Sequence, residues 1–542
     1  MKGTMLLFLF AVSITICKAQ KLFTRADSLR GALRPERTWW DVQRYDIDII
    51  PDLDRQYISS ICTIDFRAVS DGDTMQIDLQ EPMQINKIWL NSIPLDFTHD
   101  GNVWWVYTKH LSNKNSENYL KIEYAGSPKI AKLPPWDGGI IYQKDSKGKP
   151  FVSIACQGLG ASVWYTCKDH QSDEPDHGSV MHITVPDSLM AISNGRLIQT
   201  LRNPNATTTY TWEVKNPINN YNIIPYIGDY VHIHDTLRGE KGILDLDYYV
   251  LREHEVDAKN QFIQAKSMIH CFEYWFGPYP FYEDGYKLIE APHLGMEHQS
   301  AIAYGNGFKN GYKGIDRSRS GWGLKWDFII IHESGHEWFG NNITSRDVAD
   351  MWIHESFTNY SETLYSEWLF GKEAGNEYLQ GERHNIKNKA PIIGIYNVNE
   401  EGSGDMYDKG GNMIHTIRQI LHDDTLFRNM LRDMNKRFYH STTTSDAIEK
   451  YITSYTHHDF SKLFDQYLRH ISIPKLNVEF KGKRLFLNFS NCIPGFNMPV
   501  RIPVSSTKYR YVTIGEKATS VKCTLTSEEL SKNWDKNYYI EY

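Results

Sequence analysis

One run constrains this chain more than any other: Phe328-Ile-Ile-Ile-His332-Glu333-Ser-Gly-His336-Glu337-Trp-Phe-Gly340. Four successive apolar residues call for burial, and His332 and His336 follow four positions apart. On an α-helix that spacing stacks both imidazoles on one face, about one turn from each other, which suits a single tetrahedral ion. Glu333, next to the first histidine, would reach a water held by such an ion. The competing reading is a pair of helical histidines matched to carboxylates on a solvated face, and the sequence holds 21 histidines from which such a pair could arise.

A catalytic zinc site uses three protein ligands and keeps one position for water. The segment Met351-Trp352-Ile353-His354-Glu355-Ser-Phe-Thr-Asn-Tyr360 begins a second helical pattern, and residues 341–350 form a loop long enough to reverse the chain and lay it beside the first. Glu355 and His354 are both candidates for the third ligand. Neighbouring helical residues point about 100° apart, so only one of them can face the metal.

Around this core the texture of the chain changes twice. From Trp39 to about Tyr230, period-two alternation recurs, as in Tyr45-Asp46-Ile47-Asp48-Ile49 and Thr207-Thr208-Thr209-Tyr210-Thr211-Trp212. Turn clusters such as Asp71-Gly72-Asp73 separate the runs, and the pattern reads as an antiparallel β domain. Ala258 to Trp275 reads as one helix, with Phe262, Ala265, Ile269 and Phe272 on one stripe. Helical patterns dominate from Trp326 to Ile471, and alternation returns at Leu476, Val478 and Phe480. The predicted organisation is an α+β multidomain chain: residues 20–230 an N-terminal β domain, 231–474 a mainly helical catalytic domain, and 475–542 a small C-terminal β unit.

The flanking residues resemble the family M1 zinc aminopeptidases. His332, Glu333, His336 and Glu355 match the pattern HExxH, eighteen residues, Glu. His336-Glu337-Trp338-Phe339-Gly340-Asn341 is similar to HQWFGN, with Glu337 for Gln, and Trp352-Ile-His-Glu355-Ser-Phe357 is similar to WLNEGFA. Leu294-Gly295-Met296-Glu297-His298 resembles GxMEN, with Leu294 and His298 as departures, and Tyr407-Asp408-Lys409-Gly410 resembles YxKG. Asp173-Glu174-Pro175 and the upstream Gln157 also find counterparts. The likeness runs from about Tyr45 to Leu476.

The resemblance implies a thermolysin-like catalytic domain and one Zn2+ on His332, His336 and Glu355. It further implies Glu333 as general base, Tyr407 as the donor that stabilises the oxyanion, and Glu297 holding the substrate's free amino group. Gly295, Met296 and Gln157 would complete the substrate site. Two residues after Gln157, many relatives carry a second amine-binding Glu or Gln, and this chain has Leu159. Asp173-Glu174-Pro175 is expected to be a turn that packs the β domain on the catalytic one. The activity implied is removal of N-terminal residues from peptides with a free N-terminus. The alternatives are an endopeptidase or another hydrolase on the same zinc site, or a non-catalytic binding protein that retains the fold.

The net charge of -7, without any long basic run, gives no footprint for nucleic acid. Lys2 followed by the apolar run Met5–Ile16 reads as a secretory signal (residues 1–19) cut after Ala19, so export to a periplasm or the exterior is expected. A lipid anchor on Cys17 is the rival, and Ile16 before it is larger than the small residue such processing needs. No later stretch is apolar for long enough to cross a bilayer. Six cysteines remain after the signal: Cys62, Cys156, Cys167, Cys271, Cys492 and Cys523. They are scattered, and sequence does not say whether they pair.

Overall fold

The computed structural model describes residues 22–109 and 113–542. The signal segment and Cys17 lie outside the described residues.

Alternation in the first half becomes strand pairing. The strand Trp40–Asp52 buries Tyr45, Ile47 and Ile49 and turns Asp46 and Asp48 outward. It sits inside an eight-stranded sheet, flanked by Tyr57–Ala68 on one side and Ser179–Pro186 on the other. The expected antiparallel order holds except at one joint: Tyr45 to Ile49 pairs in parallel with Ser179 to Ile183. A four-stranded sheet that includes Pro150–Ala155 carries Gln157 just past its end. One core built on Trp40, Tyr45, Trp164 and Tyr165 fills this half.

The hairpin Tyr230–Gly239 and Gly242–Leu251 leads into a second mixed sheet, through a parallel pairing of Leu246 to Tyr249 with Tyr286 to Ile289. Its last strands are Ile302–Tyr304 and Gly295–Met296. The single helix expected from Ala258 to Trp275 is instead two, Glu255–Gln261 and Gln264–Phe276. The break has a packing cause. Phe262 stays buried at the joint, edge-on to Tyr248 and Tyr304 at 5.3 and 4.9 Å, while Ile263 is left exposed. The apolar stripe survives the break, so the pattern was right about the buried face and wrong about continuity.

Helices Phe328–Gly335, Trp352–Phe370, Lys372–Glu382, Asp408–Leu421, Asp424–Arg437, Ser445–Thr456 and Ser461–Arg469 build the central region. The C-terminal strands Lys475–Lys481, Arg484–Ser490, Asn497–Ser505, Lys508–Gly515 and Thr519–Lys522 pack on it, and Leu487, Ile502 and Tyr538 join the same apolar core as the helices. Among the described residues the six cysteines are unbridged, and all but the half-buried Cys492 are buried. Among the described residues no helix is long and apolar enough to cross a membrane.

Candidate active site

The helix Phe328–Gly335 starts on Asp327, whose carboxylate accepts from Ile329 N and Ile330 N at 3.1 and 3.3 Å. That cap satisfies two of the amides a helix start leaves open. The helix is one turn shorter than its motif suggests, and His336 forms its C-cap in right-handed backbone conformation. Both imidazoles still face the same side. A short strand and a 3-10 turn reverse the chain, and Trp352–Phe370 returns alongside.

Glu355, not His354, faces the histidines. His354 turns away, and its Nε2 accepts the Ser345 amide at 2.8 Å. Glu355 Oε2 stands 3.4 Å from His336 Nε2 and 3.7 Å from His332 Nε2. Zinc bonds of about 2.0–2.2 Å in tetrahedral array put neighbouring ligand atoms about 3.4 Å apart, so the three enclose a zinc-sized hole. Glu355 Oε2 is also buried with no hydrogen-bond partner, a costly state that a cation relieves.

The far side of each imidazole is fixed. His332 Nδ1 donates to Glu362 Oε1 at 2.7 Å, and Glu362 in turn accepts from Tyr378 OH at 2.5 Å. His336 Nδ1 donates to the Phe339 carbonyl at 3.0 Å. With Nδ1 donating, each Nε2 presents a lone pair to the metal position. Burial alone would raise Glu355, yet His336 and His332, in their protonated forms, hold its carboxyl well below the usual range. Burial lifts Glu333 to about 7.

A cavity of about 490 Å³ opens over these residues, and every site residue expected from sequence lines it: His332, Glu333, His336, Glu355, Glu297, Gly295, Met296, Gln157 and Tyr407. Gly295 has a steric reason to be glycine, because a Cβ there would lie 2.6 Å from Glu333 Oε1. Met296 leans into the β-half core. Glu297 is buried and accepts from the Gln157 amide and, at 3.3 Å, from Tyr221 OH. Burial, with Glu355 nearby, raises its carboxyl, although His336 pulls the other way. The Tyr407 ring lies 5.9 Å from that of His332. Burial and the surrounding carboxylates push its phenol well above the ordinary value, so it remains a donor.

Two of the departures from the M1 pattern, His298 and Glu337, have structural explanations. His298 is fully buried, with Nδ1 at 2.5 Å from Tyr226 OH. Glu337 receives Ser300 N at 2.9 Å and Tyr279 OH at 2.8 Å, tying the segment after Glu297 to the histidine helix. The run Asp173-Glu174-Pro175 joins the two halves as expected, though not through Asp173, which accepts from Tyr45 OH at 2.8 Å and faces Lys168 at 3.4 Å, both within the β half. Glu174 is the residue that reaches across, to Thr344.

Residues 265–467 match the Peptidase family M1 domain. This stretch is a family M1 peptidase domain. It is 22% identical to leukotriene A-4 hydrolase of Xenopus laevis over 452 residues, covering 78% of this chain and 69% of that protein. To aminopeptidase B of Mus musculus it is 23% identical over 375 residues, 66% of this chain and 53% of the relative. In structure it resembles an M1 zinc metallopeptidase from Deinococcus radiodurans, with a TM-score of 0.67 at 19% identity, over 81% of this chain and 95% of that one. It also resembles Legionella pneumophila aminopeptidase A, with a TM-score of 0.72 at 13% identity, over 89% of this chain and 57% of that one. The M1 domain is a hydrolase acting on peptides, with zinc as its cofactor.

Three residues of the M1 site escaped the sequence reading. Glu362 lies seven positions after Glu355, two helical turns on and on the same face, so its spacing was a usable signal. Tyr221, in the 3-10 turn Asn220–Asn222, and Glu401, in a loop that also lines the cavity, carry no periodicity that could have marked them.

Proposed function

We propose that this chain is an exported zinc aminopeptidase, with zinc held by His332, His336 and Glu355 and peptides as substrates. The observation that carries the exopeptidase reading is the closeness of Glu297 to the metal position. Glu297, Glu333 and His336 each offer an atom within 4.8 Å of the others. A substrate ammonium on Glu297 then has room for one residue before the carbonyl over the metal, since an α-nitrogen and its own carbonyl are separated by only two backbone bonds of about 1.5 Å each.

Zinc, when bound, acts as a Lewis acid and makes water acidic enough to attack near neutral pH. Glu333 takes the proton from the attacking water and delivers it to the departing amine. Burial raises its carboxyl, which favours a group that must both accept and release a proton. Tyr407 donates its hydroxyl to the carbonyl oxygen as charge builds there. Gln157 and Tyr221 hold Glu297 in place. A related M1 zinc metallopeptidase variant binds a Tyr-Ser-Ala substrate, on a fold with a TM-score of 0.65 to this one, which is consistent with peptide substrates here. Export rests on Lys2 and the apolar run Met5–Ile16.

The test is a set of aminoacyl-arylamides against their N-acetylated counterparts, with chelation and zinc restoration. Free-amine substrates should be cleaved at least about a hundredfold faster, and chelation should abolish turnover until zinc is returned. Equal cleavage of N-acetylated peptides at internal bonds would overturn the aminopeptidase reading.

A further inference from the structure

The N-terminal segment lies against the catalytic cleft, where the chemistry described above does not require it. Its helix, Arg25–Gly31, opens with a capping box between Thr24 and Asp27. From its end, Arg30 Nη1 donates to the Gly158 carbonyl at 2.9 Å, and its guanidinium stands 3.8 Å from Asp169. The fully buried Arg37 braces this end of the helix. It bonds Asp78 at 2.6 Å and donates to the Arg30 carbonyl at 2.6 Å.

The other side of the helix meets a different wall of the cleft. The Asn399 amide donates to the Asp27 carbonyl at 3.2 Å. Gly31 is pressed so close to Val398 that a Cβ would fall 2.2 Å from its carbonyl carbon. Val398 and Asn399 belong to the segment that continues through Glu401 to Tyr407. Gly158 belongs to the opposite wall, directly after Gln157, and no atom lies within 4 Å of where its Cβ would be. A glycine in open space has large backbone freedom, and Arg30 restrains it at the residue next to the side chain that bonds Glu297.

We propose that Arg30 is a positioning residue for the reaction: by holding the Gly158 carbonyl it fixes Gln157, and through Gln157 the carboxylate that receives the substrate's ammonium. The N-terminal helix is thereby a strap between the two cleft walls. The inference rests on the reading of Glu297 as the amine anchor.

The experiment measures kcat and KM on an aminoacyl-arylamide for Arg30→Ala, Arg30→Lys, Glu297→Ala and the Arg30→Ala/Glu297→Ala pair, in the full chain with zinc counted. Arg30→Ala should raise KM about five- to tenfold with kcat within about twofold and one zinc retained, the scale of one hydrogen bond acting on binding. Arg30→Lys should recover most of the KM. In the pair, Arg30→Ala should add little to the effect of Glu297→Ala, because both act on one anchor. Gly31→Ala, which drives a methyl into Val398, should also raise KM, and so probes the strap from its other side. An unchanged KM in Arg30→Ala while Glu297→Ala raises it would overturn this inference alone. Fully additive effects in the pair would do the same. An unchanged KM in Glu297→Ala would overturn the anchor reading, and this one with it.

Discussion

Among the described residues, two places bring two histidines and a carboxylate together, and only one of these is shaped for a metal. On the hairpin, His232 and His234 share a strand face, with Asp247 opposite on the partner strand. His232 Nε2 and His234 Nδ1 stand 2.7 and 2.9 Å from Asp247 Oδ1. Those are hydrogen-bond distances, with the lone pair already used by protons. The histidines are 39% and 54% exposed, so water competes for every atom. At the M1 centre the corresponding distances are 3.4 and 3.7 Å, all three groups are buried, and Glu355 Oε2 is orphaned. Ligand type alone does not make a site. A gap of ionic size, walls that exclude water and partners on the outer nitrogens make one.

The largest effect that would test this contrast concerns the acid found at the M1 centre and not on the hairpin. Glu333→Gln should cut kcat by about a thousandfold or more while one zinc stays bound. Near-normal turnover would remove Glu333 as the base. Next comes the support behind the ligands. Glu362→Gln should weaken zinc affinity by about 10- to 100-fold, read by competition with a chromophoric chelator. An unaltered affinity would mean that Glu362 does not set the tautomer of His332.

Burial makes a third, smaller difference. Burial pushes His170 down to about 3 and His293 down to about 4. Both stay neutral in the fold but gain protons when the chain unfolds at about pH 6.5 and below. Stability should therefore fall as pH drops from 7 towards 4, by at most about 1.4 kcal/mol per unit for each group. Denaturant titrations at pH 7 and 5 measure this, and equal stabilities would contradict the buried neutral state. The exposed His234 is shifted the other way by its hydrogen bond to Asp247, and its contribution is lost as pH rises. The smallest expected effect is that of His232→Ala with His234→Ala. Zinc should stay at one per chain and kcat/KM within about twofold. Loss of a second bound zinc would restore the hairpin as a metal site.

Much of the M1 centre was legible because its parts are local. The four-residue step from His332 to His336 and the apolar run before it fix a buried helix with two imidazoles on one side, whatever surrounds it. The alternation around Tyr45 to Ile49 likewise names its buried face. Reading failed where the deciding contact was distant in sequence. Continuity from Ala258 to Trp275 was lost to rings at Tyr248 and Tyr304.

The sequence by itself therefore placed the candidate ligands in one helical phase with a carboxyl beside them, and set the order of β and helical regions. Periodicity along the chain is enough for that, since the backbone geometry sets which side chains share a face. Helical phase left Glu355 and His354 both open until the family resemblance favoured Glu355; tertiary structure alone decided that Glu362 backs His332 and that a helix near residue 30 touches the peptide beside Gln157. Such choices depend on distances across tens to hundreds of residues, which no local spacing encodes.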